Sequence, residues 1–210
     1  TERFAVTGGQ FVNVPAIDGL VISDTTLTAS ETKRLEGISQ AHGFGLTQAA
    51  LQNSRLVLTV QKTASVVLNL HHLANQPSSA GFATLVIRVE AGAQLTLVEQ
   101  FESTDTEKAN LSSLRCLITL TRDSSVTHVR FQASNMAAHV FSNLDVECGE
   151  NASYRLQTIE FGSKLARNDI YIALAGREAS ASVNGLAITN GSQYHDTHLG
   201  IDHVVGETNS

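Results

Sequence analysis

The chain has 210 residues, of which 42% are hydrophobic and 16% charged, a composition that suits one globular domain and argues against disorder. Its formal net charge is −6 and it has no run of Lys or Arg, so nothing indicates a nucleic-acid or anionic-membrane partner. No apolar stretch approaches the ~20 residues needed to span a bilayer. Tryptophan is absent and aromatic residues make up 5%, so the core must consist mainly of Val, Leu, Ile and Ala.

The two cysteines, Cys116 and Cys148, are too few for a disulfide framework and are not spaced as CxxC. We therefore expect free thiols in a reducing compartment, which favours a cytoplasmic protein. The sequence opens at Thr1 without a signal-peptide pattern and closes abruptly on GETNS, so we expect it to be part of a longer protein, truncated at the C-terminal end.

Residues 1–55 are the least repetitive part and are predicted to form strands, a polar connector and a short helix that cap the rest of the chain. Gly8-Gly9 between FAV and FVNV indicates a hairpin, and Asp18-Gly19 indicates a second turn. A helix is predicted to start near Ser30, and the segment LTQAALQN (46–53) predicts about two further helical turns.

From Leu56 onward one alternating pattern recurs at shifts of 29, 31, 28, 26 and 29 residues. In the first copy Leu56, Leu58 and Val60 are separated by Val57 and Thr59, which predicts a strand with one buried face. The equivalent triplets are Leu85/Ile87/Val89, Cys116/Ile118/Leu120, Leu144/Val146/Cys148, Ile170/Ile172/Leu174 and Leu199/Ile201/His203.

A polar or glycine-bearing turn and a second alternating strand follow the first five triplets. The predicted inward residues of these second strands are Val66/Leu68/Leu70, Leu95/Leu97, Val126 with Val129 or Phe131, Tyr154/Leu156 and Ala181/Val183. A repeat of about 28 residues, with like residues at like positions, is typical of stacked rungs. Residues 56–210 are therefore predicted to form an all-β parallel β-helix, with a β-sandwich as the alternative.

The densest group of polar residues is YHDTHLGIDH (194–203), whose three histidines and two aspartates raise the question of a metal site. The repeat places His195 and His203 at inward positions and His198 on the other face. In one unbroken strand His195 and His203 lie ~26 Å apart, at ~3.3 Å per residue, so only a bend at Gly200 would let them share an ion. We predict structural or interfacial histidines and no metal site, with these three residues as weak candidate ligands. His203, among apolar columns, has the most reason to have a hydrogen-bond partner.

Other reactive side chains have structural interpretations. His71 and His72 point to opposite faces of a strand, a pattern typical of a solvated strand end. Cys116 and Cys148 occupy inward positions otherwise filled by Leu, Val and Ile, where a thiol packs as a small hydrophobe. The phosphate-binding pattern GxxxxGK[ST] and the nucleophile pattern GxSxG do not occur in the sequence. No catalytic residue is predicted, and we do not expect an enzyme.

Residues 162–210 resemble the central part of the SufB/SufD family of iron–sulfur cluster assembly proteins. The matching elements are Leu165-x-Arg167-x-Asp169, the Leu174-x-Gly176 turn, Asn184-Gly185-Leu186, Asp196 and the closing His203. The segment LVIRVEAGAQLTLVEQF (85–101) resembles an earlier rung of the same family. GQFVNVP (9–15), followed by a short helix and RLVLTV, is more similar to SufD than to SufB.

The resemblance implies a right-handed parallel β-helix that acts as a non-catalytic scaffold subunit. It implies pairing with a SufB-like paralogue, a possible homodimer, and binding to a SufC-like ATPase, whose ATP hydrolysis fits the missing phosphate-binding loop. The iron–sulfur cluster or iron would be handled by the whole complex, with no cofactor in this segment.

The family's further C-terminal segment, which carries a Cys/His stretch, and its N-terminal helical region have no counterpart in this chain, so no cluster ligand is carried over. The alternative function is a carbohydrate-binding or carbohydrate-active β-helix protein. Such a protein would need an exposed groove with aromatic residues and clustered acids, and the sequence offers few aromatics and no acid cluster.

Overall fold

The computed structural model describes residues 4–23, 26–41, 44–74, 78–103 and 108–210. The elements before the repeat are β1 (Ala5–Thr7), β2 (Gln10–Val12), β3 (Leu20–Ser23), α1 (Ala29–Ala41) and α2 (Gly45–Ala50). The repeat supplies β4 (Ser54–Val60), β5 (Ser65–Ala74), β6 (Ala80–Val89), β7 (Gln94–Ser103), β8 (Leu111–Leu120), β9 (Ser125–Gln132), β10 (His139–Cys148), β11 (Ser153–Glu160), β12 (Leu165–Leu174), β13 (Ser180–Ala187) and β14 (Tyr194–His203). Within those ranges, neither helix has the length and apolar character needed to cross a bilayer.

The strands form two seven-stranded sheets. Sheet A has the order β13-β11-β9-β7-β5-β1-β2, and sheet B has the order β14-β12-β10-β8-β6-β4-β3. Pairing is antiparallel between β1 and β2 and between β3 and β4, and parallel between the strands of the repeat. The chain alternates between the sheets and forms a β-solenoid of about five turns, which confirms the predicted parallel β-helix.

From β4 to β14 the register of sheet B is the predicted one. The successive partners of the first column are Leu56, Leu85, Cys116, Leu144, Ile170 and Leu199. The first five of these residues lie in one buried cluster with the inward residues of sheet A. Period-2 apolar patterning therefore fixes both the strand faces and the stacking order of this sheet.

The predicted inward residues of sheet A are wrong at β9 beyond Val126. Val126, His128 and Arg130 of β9 are buried, whereas Val129 and Phe131 lie on the outer face. Apolar alternation predicts Val129 or Phe131 inward, and an unpaired charge at that position would be costly to bury. Here the buried charge is paired, since Arg130 lies beside the buried carboxylate of Glu99.

A residue with left-handed backbone conformation recurs at the corner of each turn. Positive φ values occur at Thr63, Gly92, Asp123, Asn151, Glu178 and Glu207. At the first five of these positions the backbone N–H donates to a carbonyl of the next corner, as from Asp123 to Glu150 at 3.0 Å and from Glu178 to Glu207 at 2.8 Å. This ladder holds a conformation that costs free energy for residues other than glycine.

The N-terminal predictions are confirmed at two points. Gly8 and Gly9 join β1 to β2 as a hairpin, and α1 begins one residue before Ser30. The helix start is a capping box, because Thr28 Oγ1 accepts from the Glu31 N–H while the Glu31 carboxylate accepts from the Thr28 N–H. Helix α2 is shorter than predicted. The domain boundary between residues 55 and 56 stays a prediction.

Helix α1 covers part of the outer face of sheet B. Leu35 and Ile38 pack against three outward-facing residues of β4, β6 and β8, which are Val57, Val86 and Leu117. Two ion pairs fix the helix across the sheet: Glu31 binds Arg88 at 2.7 Å, and Arg34 binds Asp145. The hydrogen bond from Arg88 is the main reason that the pKa of Glu31 falls to about 2, although partial burial opposes the shift.

Candidate functional site

A group of charged and polar side chains lies inside the solenoid, centred on Glu99 of β7. The Glu99 carboxylate has no exposed surface. His72 Nε2 lies 2.9 Å from Oε1, and His128 Nε2 and Arg130 Nε lie 2.8 and 3.1 Å from Oε2. Tyr154 extends the group, with its hydroxyl 2.8 Å from His128 Nδ1. We call these five residues the Glu99 cluster.

The alternation of β-strand side chains builds the Glu99 cluster. Glu99 pairs with Leu70 of β5 and Arg130 of β9 in one inward column, and His128 pairs with Leu97 of β7 in the adjacent one. The ring of His72 stacks on Phe101 at 4.1 Å, and the Arg130 guanidinium lies 5.1 Å from the same ring. Aromatic packing thus fixes the orientation of the groups that bind the carboxylate.

The electrostatics of the Glu99 cluster favour a charged carboxylate and a neutral His128. Burial raises the pKa of Glu99, but hydrogen bonds from His128 and His72 and the charge of Arg130 outweigh it, so this pKa lies well below its ordinary value. Burial also lowers the pKa of His128, and its hydrogen bond to Glu99 only partly opposes this. A neutral His128 donates through Nε2 to Glu99 and accepts from the Tyr154 hydroxyl, whose pKa is raised by burial.

A second polar group lies at the corner between β11 and β12. His195 Nε2 donates to the carbonyl of Gly162 at 2.7 Å, and Gly162 N–H donates to the side-chain oxygen of Gln132 at 2.9 Å. The Glu160 carboxylate binds the Asn168 amide through Oε1, while its Oε2 lies 3.8 Å from His195 Nδ1. We call Glu160, His195 and the backbone around Gly162 the Gly162 corner.

The three sequence-predicted histidines of β14 lie in different environments. His195 is inward, with a side chain that is 4% exposed. His198 is 59% exposed on the outer face, where Asp196 lies 3.2 Å away and Arg167 bridges Asp196 and Asp169. His203 has the hydrogen-bond partners that were expected, since its ring nitrogens lie 2.6 Å from the Thr208 hydroxyl and 3.1 Å from that of Ser210.

Strand β14 continues through Gly200, so the structure does not bring these histidines together. Across the part of the chain that the structure describes, no three His, Cys, Asp or Glu side chains form a group suited to a metal ion.

The prediction for His72 is wrong, and that for the cysteines is confirmed. His72 is 4% exposed and belongs to the Glu99 cluster rather than to a solvated strand end, because Phe101 and Glu99 enclose its ring. Cys116 and Cys148 are free and buried at inward positions. Burial raises the pKa of Cys116 well above its ordinary value and that of Cys148 to about 12, so neither thiol is poised as a nucleophile.

Sequence reasoning missed the Glu99 cluster, and one signal could have found it. Continuing the Leu70 column by the shifts of 29 and 31 residues leads to Glu99 and Arg130, an acid followed by a base. Opposite charges at one inward position of neighbouring rungs indicate a buried ion pair.

Comparison with known proteins agrees with the resemblance noted in the sequence. The profile of the SUF system FeS cluster assembly, SufBD core domain, matches residues 71–210. A SufBD family iron–sulfur cluster assembly protein of Synechocystis sp. (strain PCC 6803) is 25% identical over 134 residues, which cover 60% of this chain and 30% of the relative. The iron–sulfur cluster assembly protein SufD of Escherichia coli K12 is 24% identical over 119 residues, which cover 57% of this chain and 28% of the relative.

The matches thus span less than a third of the length of either relative. The profile match extends over the strands from the end of β5 to β14 and includes all five residues of the Glu99 cluster and the Gly162 corner. The chain belongs to the SufBD core family of SUF-system iron–sulfur cluster assembly proteins.

Proposed function

We propose that this chain is a scaffold segment of a cytoplasmic SUF-type iron–sulfur cluster assembly complex, with no catalytic activity of its own. It pairs with a SufB-like paralogue, and the complex includes a SufC-like ATPase that hydrolyses ATP. Iron or the cluster is the cargo of the whole complex. Family membership supports the assembly role, and the absence of a GxxxxGK[ST] pattern from the sequence supports assigning ATP hydrolysis to a partner.

The observation that carries the pairing proposal is an apolar patch on the outer face of sheet A. Its members lie on or just after β9, β11 and β13, and they are Phe131, Ile159, Phe161, Leu186 and Ile188. We call this set the sheet A patch. Phe161 is 39% exposed, and Leu186 and Ile188 are 51% and 52% exposed.

The sheet A patch is continuous along the stacking direction. Phe131, Ile159 and Leu186 are direct partners in the parallel register. The rings of Phe131 and Phe161 meet edge to face with centroids 5.9 Å apart. Contiguous exposed apolar surface of this kind marks protein–protein contact sites. Helix α1, by contrast, packs on the outer face of the other sheet, sheet B.

Substituting aspartate for Leu186 is expected to weaken binding to the SufB-like paralogue of the same organism by about tenfold or more. A carboxylate buried in an apolar interface must be desolvated without a partner, which costs more than the ~1.4 kcal/mol that corresponds to tenfold. Size-exclusion chromatography of the mixed proteins and titration calorimetry would measure the loss. Adding the SufC-like ATPase to the same mixture tests the three-component complex.

Val67→Asp is the matched control, since Val67 is 60% exposed on the same outer face of sheet A but lies on β5, away from the patch. We expect this variant to bind as the unsubstituted chain does. If the unsubstituted chain, Leu186→Asp and Val67→Asp all bound the paralogue equally, the sheet A patch would be rejected as the pairing surface. Failure of the unsubstituted chain to bind either partner would reject the scaffold proposal itself.

A further inference from the structure

Two electron-pair donors face each other in the Gly162 corner without a hydrogen atom between them. The hydrogen bond from His195 Nε2 to the Gly162 carbonyl places the proton of a neutral imidazole on Nε2. Nδ1 then carries a lone pair. Glu160 Oε1 is already bound by the Asn168 amide, so Oε2 is the free carboxylate oxygen, and it lies 3.8 Å from Nδ1.

Both facing atoms are buried and lack a hydrogen-bond partner among the described residues. The side chains of His195 and Glu160 are 4% and 8% exposed. Leaving a buried polar atom unsatisfied costs about 1–3 kcal/mol, and more for a charged group. Two such atoms that point at each other indicate that something positive belongs between them.

The neighbouring residues add to this polar pocket. The side-chain hydroxyl of Ser163 and the side-chain nitrogen of Gln132 are also buried without a partner in the described structure. Ser163 follows Gly162 directly, and Gln132 binds the Gly162 N–H. Arg130, which approaches Asn168 at 3.5 Å, has its charge matched by Glu99. The carboxylate of Glu160 is therefore the charge in this corner that still requires compensation.

We propose that Glu160 Oε2 and His195 Nδ1 bind a first-row divalent metal cation, with water completing the coordination. Two metal–ligand bonds of about 2.1 Å each can span up to about 4.2 Å, so the 3.8 Å separation fits a shared cation. Imidazole with carboxylate is a ligand set suited to zinc, iron, manganese or cobalt. The Gly162 carbonyl accepts the hydrogen bond from His195 Nε2. This bond would keep the proton on Nε2 and leave Nδ1 free to bind the metal.

This site is separate from the proposed pairing function and stands whether or not the chain binds a paralogue. His195 belongs to β14 of sheet B and Glu160 to β11 of sheet A, so the site joins the two sheets at one corner of the solenoid. The register also explains why His203 takes no part, since it lies at the far end of the same strand and binds Thr208 and Ser210.

Cobalt(II) is the probe of choice, because its visible absorption reports coordination directly. We expect the chelator-treated 210-residue chain to bind one equivalent of Co(II). Binding should weaken by more than about tenfold in His195→Ala and in Glu160→Gln, since loss of even an outer partner costs that much. Glu160→Gln should stay folded, because its amide can donate to His195 Nδ1. Thermal unfolding gives a second readout: Co(II) should raise the melting temperature of the unsubstituted chain but not that of Glu160→Gln.

His198→Ala is the control, because His198 belongs to the same strand but is exposed beside Asp196 on the outer face. It should bind Co(II) and respond in melting temperature as the unsubstituted chain does. The proposal is overturned if the unsubstituted chain binds no Co(II) at about 1 mM, which would mean that only water bridges the two atoms. It is also overturned if binding survives in both His195→Ala and Glu160→Gln, or is lost in His198→Ala alone.

Discussion

Replacing Glu99 with alanine is expected to lower the free energy of unfolding by about 3–5 kcal/mol, the cost of removing one partner of a buried charge pair. Arg130, which is 5% exposed, would lose its counter-ion. His72 and His128 would lose the acceptor of their hydrogen bonds. Urea unfolding followed by circular dichroism measures the change.

Glu102→Ala is the matched control for this prediction. Glu102 lies on the same strand, three residues further along, but on the outer face and partly exposed. Its substitution is expected to change the free energy of unfolding by no more than about 0.5 kcal/mol. If both variants lost the same small amount, Glu99 would not be the centre of a buried ionic cluster.

The stability of the chain is expected to fall as the pH drops below about 6.5, because of His128. Its pKa in the folded state is lowered by burial, so the unfolded chain binds a proton in a pH range where the folded chain does not. Stability therefore rises with pH through this window, by up to about 1.4 kcal/mol per pH unit for one proton. At lower pH a second loss follows, since the lowered pKa of Glu99 gives stability above about pH 4.3 that disappears as the carboxylate is protonated.

The substitution His128→Leu tests the contribution of His128 to the pH dependence separately from that of Glu99. Leucine occupies the equivalent inward position in both neighbouring strands, at Leu97 and Leu156, so the side chain fits the column. Urea unfolding between about pH 7.5 and 5 should give a shallower pH dependence for this variant. His198→Leu, at an exposed position, should retain the original slope. An unchanged slope in His128→Leu would show that another group controls the pH response.

The register of sheet B from β4 to β14 could be predicted from the sequence, because its inward triplets are apolar except at His203. Each triplet from Leu56 to Leu199 alternates with period 2, and a slip by one residue would turn the whole set outward. The triplets, together with the turns and the second strands that follow them, predict the parallel β-helix.

Sheet A could be predicted only where its inward residues are apolar. At β9 the inward positions hold His128 and Arg130, and the apolar residues Val129 and Phe131 face outward. Hydrophobic patterning alone therefore predicts the wrong inward face for this part of β9. Only the ion pair with Glu99, which is remote in sequence, makes the observed face favourable.

The position of α1 and the Gly162 corner also lay beyond the sequence pattern. Val57, Val86 and Leu117 form an apolar column on the outer face of sheet B, which indicates that another element covers it. The sequence pattern does not identify that element as α1. The density of His and Asp in residues 194–203 makes His195 only a weak candidate metal ligand. Its partner Glu160 lies on the other sheet, and the two meet only because the solenoid folds β11 and β14 around one corner.

We propose above all that the chain acts through its outer surface, while its buried polar residues serve packing and ion binding. Hydroxyl-radical footprinting of the chain alone and mixed with a SufB-like paralogue tests this claim most directly. Phe161 and Leu186 of the sheet A patch are exposed in the chain and should become protected in the complex, while Tyr171, which is 42% exposed on sheet B, should stay reactive. Unchanged reactivity at Phe161 and Leu186, or protection of Tyr171 without them, would contradict the account.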